Sequence, residues 1–387
     1  MNELTVAFLG DLYVAHDAAL PEVDEKVVEL LSSCDHVVAN LEGPITSSKT
    51  HIKKTWPMLR QSPAVLDLLQ MMSVDVVGFA NNHVGDFGRR GLEDTLQVLH
   101  ARGFRFGGAG LSSGEVYRPV RIGAGETRCS LLFAGEYHFG CACDKRHDGA
   151  GYAWLFSPLF TEMLKREASE CDFVVVVAHA GVERIDHPLT QWREAYKKLI
   201  DSGAGAVVAH HPHSTQGCEV YNGAPIFYSI GNLFFNSSSR QREWTRSQIP
   251  LLTFDRNGAV SWRIEHARFD FGSGGGEVLY DDSAETARRF EQLCADFSDP
   301  EYERLVVEEL KRVWERAYST SLSPCVKTVP SIRFLRSAVR RAGESVLRRR
   351  NALSRPFLVE MFVECESHRW ALAEIMRSMY DDRWDSE

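Results

Sequence analysis

Short apolar runs rich in valine alternate with helix-period segments through the first two thirds of the chain, and this alternation constrains the fold most. The runs predicted as strands are residues 6–9, 37–39, 74–79, 173–178 and 206–208. Apolar residues at helical spacing lie among them at 23–31, 66–71, 92–99 and 192–200. Continuous apolar strands need both faces of a sheet covered, so the pattern predicts an α/β fold.

The pattern changes in the remaining parts of the chain. The stretch between the helix at 92–99 and the strand at 173–178 reads as irregular. Antiparallel strands without intervening helices are expected at 226–229, 251–254 and 260–264, with hairpin turn chemistry at 255–258. A glycine-rich break at 272–276 precedes helices expected at 302–317, 332–347 and 357–379. We therefore predict a domain over 1–275 and a helical region over 283–387.

Charge and cysteine content exclude several classes of protein. A formal net charge of −9 argues against sequence-independent nucleic-acid binding, which needs an excess of Lys and Arg. The nine cysteines include one close pair, Cys141 and Cys143, and no CxxC spacing, so we expect reduced thiols rather than a zinc or disulfide framework. The opening MNELTVAFLGD lacks a basic, apolar leader pattern, and we expect a cytoplasmic protein.

Polar side chains follow the predicted strands at the point where each strand ends. They include Asp11, Glu42, Asn82, His83, His179, His211 and His213. If the strands are parallel, their carboxyl ends meet at one edge, where α/β sheets bind ligands. Burying several charges together is expensive unless something pairs them, and a metal ion does so. Carboxylate, amide and imidazole donors without thiolate favour Mn²⁺, Fe²⁺ or Zn²⁺.

These strand ends carry longer motifs that resemble one family. The motifs are GD at 10–11, NLEGPIT from Asn40, ANNHVGDFGRRGLEDTL from Ala80, HAGVE from His179 and GAGAVVAHHPHSTQGCEVYNGAPIFYSIGNLFF from Gly203. In this order and spacing, over about residues 5–235, the chain resembles the CapA family of poly-γ-glutamate capsule biosynthesis proteins, within the calcineurin-like metallophosphoesterase superfamily. The resemblance implies a metallophosphoesterase-like α/β sandwich, here with a C-terminal helical extension.

The resemblance also implies roles for individual residues. The implied metal ligands, for one or two divalent ions, are Asp11, Glu42, Asn82, His179, His211 and His213. His83 matches the imidazole that protonates the leaving group, and Asp86 either orients His83 or caps the following helix. Tyr13 stands where many superfamily members carry a ligand histidine, which weakens the expectation of two ions. Weaker candidates are His210, as a ligand or a plain strand end, and Glu183 and Asn232, as groups lining the cleft.

Two functional interpretations follow from the resemblance. The first is a metal-dependent hydrolase acting on a phosphoester or a γ-glutamyl-type amide, with a small-molecule or anionic polymer substrate. The second is a noncatalytic polymer-binding or assembly component. The Arg-rich amphipathic segment 332–350 lies outside the resemblance and either contacts an anionic membrane or a polyanion or forms a solvated face of its own domain. The sequence predicts neither the substrate nor the oligomeric state.

Overall fold

The computed structural model describes residues 3–54, 57–142, 149–236, 242–255, 260–271, 275–313, 315 and 364–384. Its strands are β1 (Glu3–Tyr13), β2 (Glu22–Val23), β3 (His36–Leu41), β4 (Val76–Gly78), β5 (Arg105–Gly107), β6 (Ala109–Gly110), β7 (Val120–Ala124), β8 (Thr127–Gly135), β9 (Gly151–Tyr152), β10 (Phe173–His179), β11 (Ala206–His210), β12 (Cys218–Tyr221), β13 (Ala224–Phe227), β14 (Asn232–Phe235), β15 (Arg246–Asp255), β16 (Val260–Asp270) and β17 (Glu277–Tyr280). Its α-helices are α1 (Glu25–Ser32), α2 (Val65–Met71), α3 (Gly88–Ala101), α4 (Ser113–Val116), α5 (Pro158–Glu170), α6 (Thr190–Asp201), α7 (Ala284–Ala295), α8 (Tyr302–Val313) and α9 (Glu366–Trp384).

Two mixed sheets form the centre of the molecule. The first has the order β2-β17-β16-β15-β1-β3-β4-β5, with β14 pairing the carboxyl end of β1, and the second has the order β12-β13-β11-β10-β8-β7. The sheets pack face to face, since the rings of Phe173 and Phe254 lie 4.7 Å apart and those of Phe227 and Trp262 lie 5.4 Å apart. The predicted α/β sandwich is confirmed.

The strands that carry the motifs run parallel within each sheet. In the first sheet β1, β3 and β4 are parallel neighbours, and in the second β10 lies parallel to β11. The prediction that all their ends share one sheet edge is therefore corrected. The ends divide between two sheets, and the facing arrangement of those sheets brings them together.

A bulge near the end of β1 sets the position of Asp11. Pairing with β3 shifts register between Leu9 and Asp11, so that Gly10 is the extra residue. A Cβ atom on Gly10 would lie 2.0 Å from the carbonyl oxygen of Gly231, so only glycine permits this approach. The same carbonyl accepts the Asp11 backbone N–H over 3.1 Å, which fixes the turn of the chain.

Several elements differ from the sequence prediction. The stretch expected to be irregular contains the β7–β8 hairpin and α5, whose N-cap Ser157 accepts from the Leu159 N–H. The strand expected at 226–229 corresponds to β13, which pairs antiparallel with β12 as predicted but parallel with β11. Strand β14, which lies parallel to β1, was not predicted. The β15–β16 pair is antiparallel as predicted, and most of its turn lies outside the described residues.

The C-terminal helices pack on the outer face of the second sheet. Val306 and Leu310 of α8 join Ile375 of α9 in one apolar cluster with Trp192 and Tyr196 of α6. The helix predicted at 332–347 lies outside the described residues, and the one predicted at 357–379 is described from 364 onward. Within the described residues, no helix combines the length and apolar character needed to cross a membrane. The domain boundary stays a prediction.

A buried histidine joins α8 to the loop between β10 and α6. Nδ1 of His187 lies 2.9 Å from Glu309 Oε1, and Nε2 lies 2.9 Å from Asp296 Oδ2. Glu309 Oε2 also accepts the backbone N–H of Asp186 over 2.8 Å. Burial opposes a charged imidazole, but the two carboxylates outweigh it and raise the pKa of His187.

We expect His187→Gln to destabilise the protein in a pH-dependent way. A raised folded pKa contributes stability that is fully present below the unfolded pKa, near 6.5, and is lost as the pH rises through the folded value. The loss in free energy of unfolding should be about 1–3 kcal/mol at about pH 6 and should shrink toward about pH 9. Urea unfolding across this range measures it, with the exposed His100→Gln as control. A pH-independent loss would contradict the charged state of His187.

Candidate metal centre

The predicted site residues meet where the carboxyl ends of the two sheets face each other. Asp11 comes from β1, Glu42 follows β3 and Asn82 follows β4 in the first sheet. His179 ends β10, and both His211 and His213 follow β11 in the second. All six side chains belong to buried residues.

Asp11 is the fully buried residue on which the other groups converge. Its Oδ1 accepts from Asn40 Nδ2 over 2.7 Å and lies 2.8 Å from His210 Nδ1. Its Oδ2 accepts the backbone N–H of His211 over 3.1 Å. Burial would raise the pKa of this carboxyl, but His210 and His179 hold it well below its usual range, so Asp11 is an anion.

A first group of donors consists of Asp11, Glu42 and His213, with ligand atoms within 4.8 Å of one another. Both carboxylate oxygens of Glu42 are buried without a hydrogen-bond partner. Burial and the neighbouring Asp11 raise the pKa of Glu42 well above its usual range. An orphaned carboxylate beside a second buried carboxylate fits a bound divalent cation, which would offset the repulsion between them.

A second group shares Asp11 and adds His179 and His210, again within 4.8 Å. His179 Nδ1 lies 2.8 Å from His210 Nδ1, and His179 Nε2 lies 3.0 Å from Asn82 Oδ1. Burial and neighbouring imidazoles lower the pKa of His179 well below its usual value, so its ring is neutral and has a lone pair to offer. The structure thus places His210 in the site and not merely at a strand end.

His211 lies beside these groups but faces a different carboxylate. Its ring centroid is 4.5 Å from that of His179, and its Nε2 is 3.2 Å from Glu136 Oε1. His211 Nδ1 is buried without a hydrogen-bond partner. This is the arrangement of a ligand histidine held by a carboxylate on its second nitrogen. Glu136 was missed because β8, which it follows, was not predicted.

His83 stands at the edge of the centre, with Nε2 3.7 Å from Glu42 Oε1. Its Nδ1 lies 2.8 Å from Asp86 Oδ2 and 3.1 Å from Lys54 Nζ. In the tautomer with a proton on Nδ1, this nitrogen donates to Asp86, and in the other tautomer it accepts from Lys54. Burial and the Lys54 ammonium lower the pKa of His83 to about 4. Lys54 pairs with Asp86 and is itself buried. No motif around Lys54 pointed to this role.

Asp86 does not cap the helix that follows it. The N-cap position of α3 is Phe87, without a side-chain cap hydrogen bond. Asp86 Oδ2 instead accepts the Leu59 N–H over 2.7 Å and faces His83. Of the two alternatives raised by the sequence, contact with His83 is the one observed.

Further groups complete the wall of the cleft. Asn232 Oδ1 lies 2.8 Å from His213 Nδ1, and its Nδ2 donates to the Trp244 carbonyl over 3.1 Å, so Asn232 positions a ligand candidate. The Tyr13 ring packs on Phe235 at 5.1 Å. Glu183 is half-buried, and neighbouring histidines outweigh its desolvation and lower its pKa.

The seven cysteines that the structure describes form no disulfide, and Cys141 is buried outside both donor groups. Cys143 lies outside the described residues.

Comparison with known proteins identifies a family over the region that carries these groups. The family described as "Bacterial capsule synthesis protein PGA_cap" matches residues 5–237. The PGA biosynthesis protein CapA of Bacillus subtilis (strain 168) is 29% identical over 276 residues, which are 67% of this chain and 70% of that protein. The capsule biosynthesis protein CapA of Bacillus anthracis is 26% identical over 261 residues, 64% of this chain and 62% of that protein.

Solved structures with a similar chain trace include two bacterial proteins. A putative 5'-nucleotidase from Staphylococcus aureus is 14% identical with a TM-score of 0.45, over 75% of this chain and 58% of that chain. A hypothetical protein from Thermus thermophilus is 16% identical with a TM-score of 0.41, over 68% of this chain and 99% of that chain.

We expect His210→Ala to lower the metal bound per chain as strongly as His179→Ala. Both imidazoles belong to the donor group that shares Asp11, and loss of either leaves that group incomplete. Metal analysis of the purified variants measures the effect, and His187→Ala, an imidazole outside the centre, is the control. Wild-type metal content in His210→Ala would show that His210 is not a metal ligand.

Glu42→Gln tests the orphaned carboxylate. The variant should bind less metal, since a carboxylate oxygen is lost. After removal of metal with a chelator, its free energy of unfolding in urea should exceed that of stripped wild type by about 1–3 kcal/mol, because Gln needs neither a buried charge beside Asp11 nor the uptake of a proton to avoid one. Glu183→Gln, at a half-buried carboxylate, is the matched control. Equal metal content in Glu42→Gln and wild type would argue against Glu42 as a ligand.

Proposed function

The chain belongs to the PGA_cap family of bacterial capsule synthesis proteins, and from this premise we propose that it is a metal-dependent hydrolase. Its substrate in this proposal is a phosphoester or a γ-glutamyl-type amide in the metabolism of poly-γ-glutamate or a related polymer. The observation that carries the proposal is the pair of buried donor groups joined at Asp11.

The residues that would hold the metal are those of the two groups, with Asn82 and His211 beside them. Asp11 belongs to both groups, and the set would hold one divalent ion or two. Oxygen and imidazole donors without sulphur favour Mn²⁺, Fe²⁺ or Zn²⁺. When bound, such an ion supplies a Lewis acid that polarises the electrophile and lowers the pKa of water.

Proton delivery to the leaving group falls to His83 and Lys54. With its lowered pKa, His83 is neutral near pH 7. When Lys54 donates to Nδ1, the ring keeps its own proton on Nε2, the nitrogen that faces Glu42 and the centre. His83 can then give this proton to the leaving group, and the Lys54 ammonium can restore it. Asp86 pairs with Lys54 and so keeps the ammonium beside Nδ1 of His83.

An anionic substrate is favoured by a cation at the cleft wall. The Arg184 guanidinium lies 5.2 Å from the centroid of the Trp244 ring, and that ring lies 4.7 Å from His213. Arg184 Nε is buried without a hydrogen-bond partner. A phosphate or a glutamyl carboxylate would satisfy this donor, as guanidinium groups commonly do with such anions.

The alternative is a noncatalytic component that binds polymer in the same cleft. Tyr13 favours it, because this ring packs on Phe235 where the superfamily resemblance leads us to expect a ligand histidine. A cytoplasmic location also stays a proposal. Peripheral membrane contact through 332–350 stays a prediction, since that segment lies outside the described residues.

His83→Ala separates the catalyst from the binding component. In the proposal His83 moves a proton and does not hold metal, so the variant should keep wild-type metal content. Its rate on a substrate with a poor leaving group should fall about 10²- to 10⁴-fold, and less on one whose leaving group needs no proton. Phosphomonoesters, phosphodiesters and γ-glutamyl peptides are the substrates to assay, with His100→Ala as control.

The outcomes of this assay are distinct. Loss of metal in His83→Ala would show that this histidine is a ligand. A metal-loaded wild type that turns over none of these substrates while binding poly-γ-glutamate would favour the noncatalytic alternative.

A further inference from the structure

The first turn of α9 is fastened to the edge of the metal centre. The backbone N–H of Ser367 donates to Glu136 Oε2 over 2.9 Å, and the Tyr137 N–H donates to Glu366 Oε2 over 2.6 Å. Trp192 Nε1 donates to Ser367 Oγ over 2.9 Å. These bonds fix the start of a helix that lies far outside the region matched by the family.

This attachment brings three donor side chains together. Cys365 and His368 flank the anchored residues, and His138 follows the end of β8. One ligand atom from each lies within 4.8 Å of the other two. All three residues are buried, with Cys365 1% exposed.

We propose that His138, Cys365 and His368 form a second metal site, which takes Zn²⁺. A thiolate and two imidazoles are the donors that zinc prefers, and three protein ligands leave its fourth tetrahedral position for water or another group. A buried carboxylate stands close by, because Cys365 interacts with Glu136, which is 2% exposed. A dication at this place would also offset the adjacent buried carboxylates Glu136 and Glu366.

The site is chemically separate from the centre at Asp11. The donors there are oxygen and imidazole, whereas this cluster contains sulphur. Glu136 lies between the two, with Oε1 3.2 Å from His211 Nε2 and Oε2 bonded to the Ser367 N–H. The inference therefore does not rest on the proposed hydrolase activity.

Metal binding at this cluster has a cost and a consequence. The Phe139 N–H donates to His138 Nδ1 over 2.8 Å. Coordination breaks this bond, because the metal either takes the Nδ1 lone pair or binds Nε2 and leaves the ring proton on Nδ1. The thiol must also lose its proton. In return, the metal would tie α9 to the end of β8, because its affinity for the folded site adds to the stability of that attachment.

Cobalt substitution tests the site in the full chain. Co²⁺ bound to a thiolate gives a near-ultraviolet charge-transfer band, and the donors at Asp11 contain no sulphur to produce one. We expect the band in cobalt-saturated wild type and in His213→Ala. Cys365→Ser should lose the band, and metal analysis should show that it binds about one metal ion fewer per chain than wild type. Cys34→Ser, at a thiol in a helix-end loop, should keep both.

His368→Gln provides a second variant that leaves the thiol in place. It should weaken cobalt binding at this site while His213→Ala does not. Absence of the charge-transfer band in folded, cobalt-saturated wild type would overturn the proposal without any variant. Wild-type band and metal content in Cys365→Ser would overturn it as well.

Discussion

The buried carboxylate of Asp11 is the interaction on which the rest of the site depends. It reaches its position because the bulge at Gly10 brings the chain against the Gly231 carbonyl, where a Cβ atom would not fit. From there it meets His210 of the second sheet at 2.8 Å. One anion thus contacts both sheets and belongs to both donor groups. The packing of the two sheets therefore determines the geometry of the candidate metal centre.

Much of this centre could be predicted because its residues follow strands directly. Asp11, Glu42 and His179 take their places from strand direction, which valine-rich runs indicate. Lys54 could not be predicted, because it comes from a segment without regular structure and gains its role only through contact with Asp86. Glu136 was not predicted because it follows β8, a strand that was not predicted either. Polar and small residues interrupt the apolar pattern of this strand.

The pattern of apolar residues also could not predict how the strands divide between two sheets. Periodicity reports which faces of a strand are buried, but it does not report which strands are neighbours. For the same reason the parallel pairing of β13 with β11 was not predicted, although its antiparallel pairing with β12 was of the expected kind. The antiparallel β15–β16 pair was predictable because a turn joins neighbours.

The C-terminal helix α9 also contacts the candidate metal centre. Glu136 receives the Ser367 N–H on one oxygen and faces His211 with the other, so the attachment of α9 bears on the orientation of a ligand candidate. Groups that fix a ligand histidine through its second nitrogen strongly affect metal affinity. The family match ends long before α9, yet the helix contacts the carboxylate that adjoins the centre. Substitutions in the first turn of α9 can therefore affect His211, although none of the ligand candidates at the Asp11 centre comes from this helix.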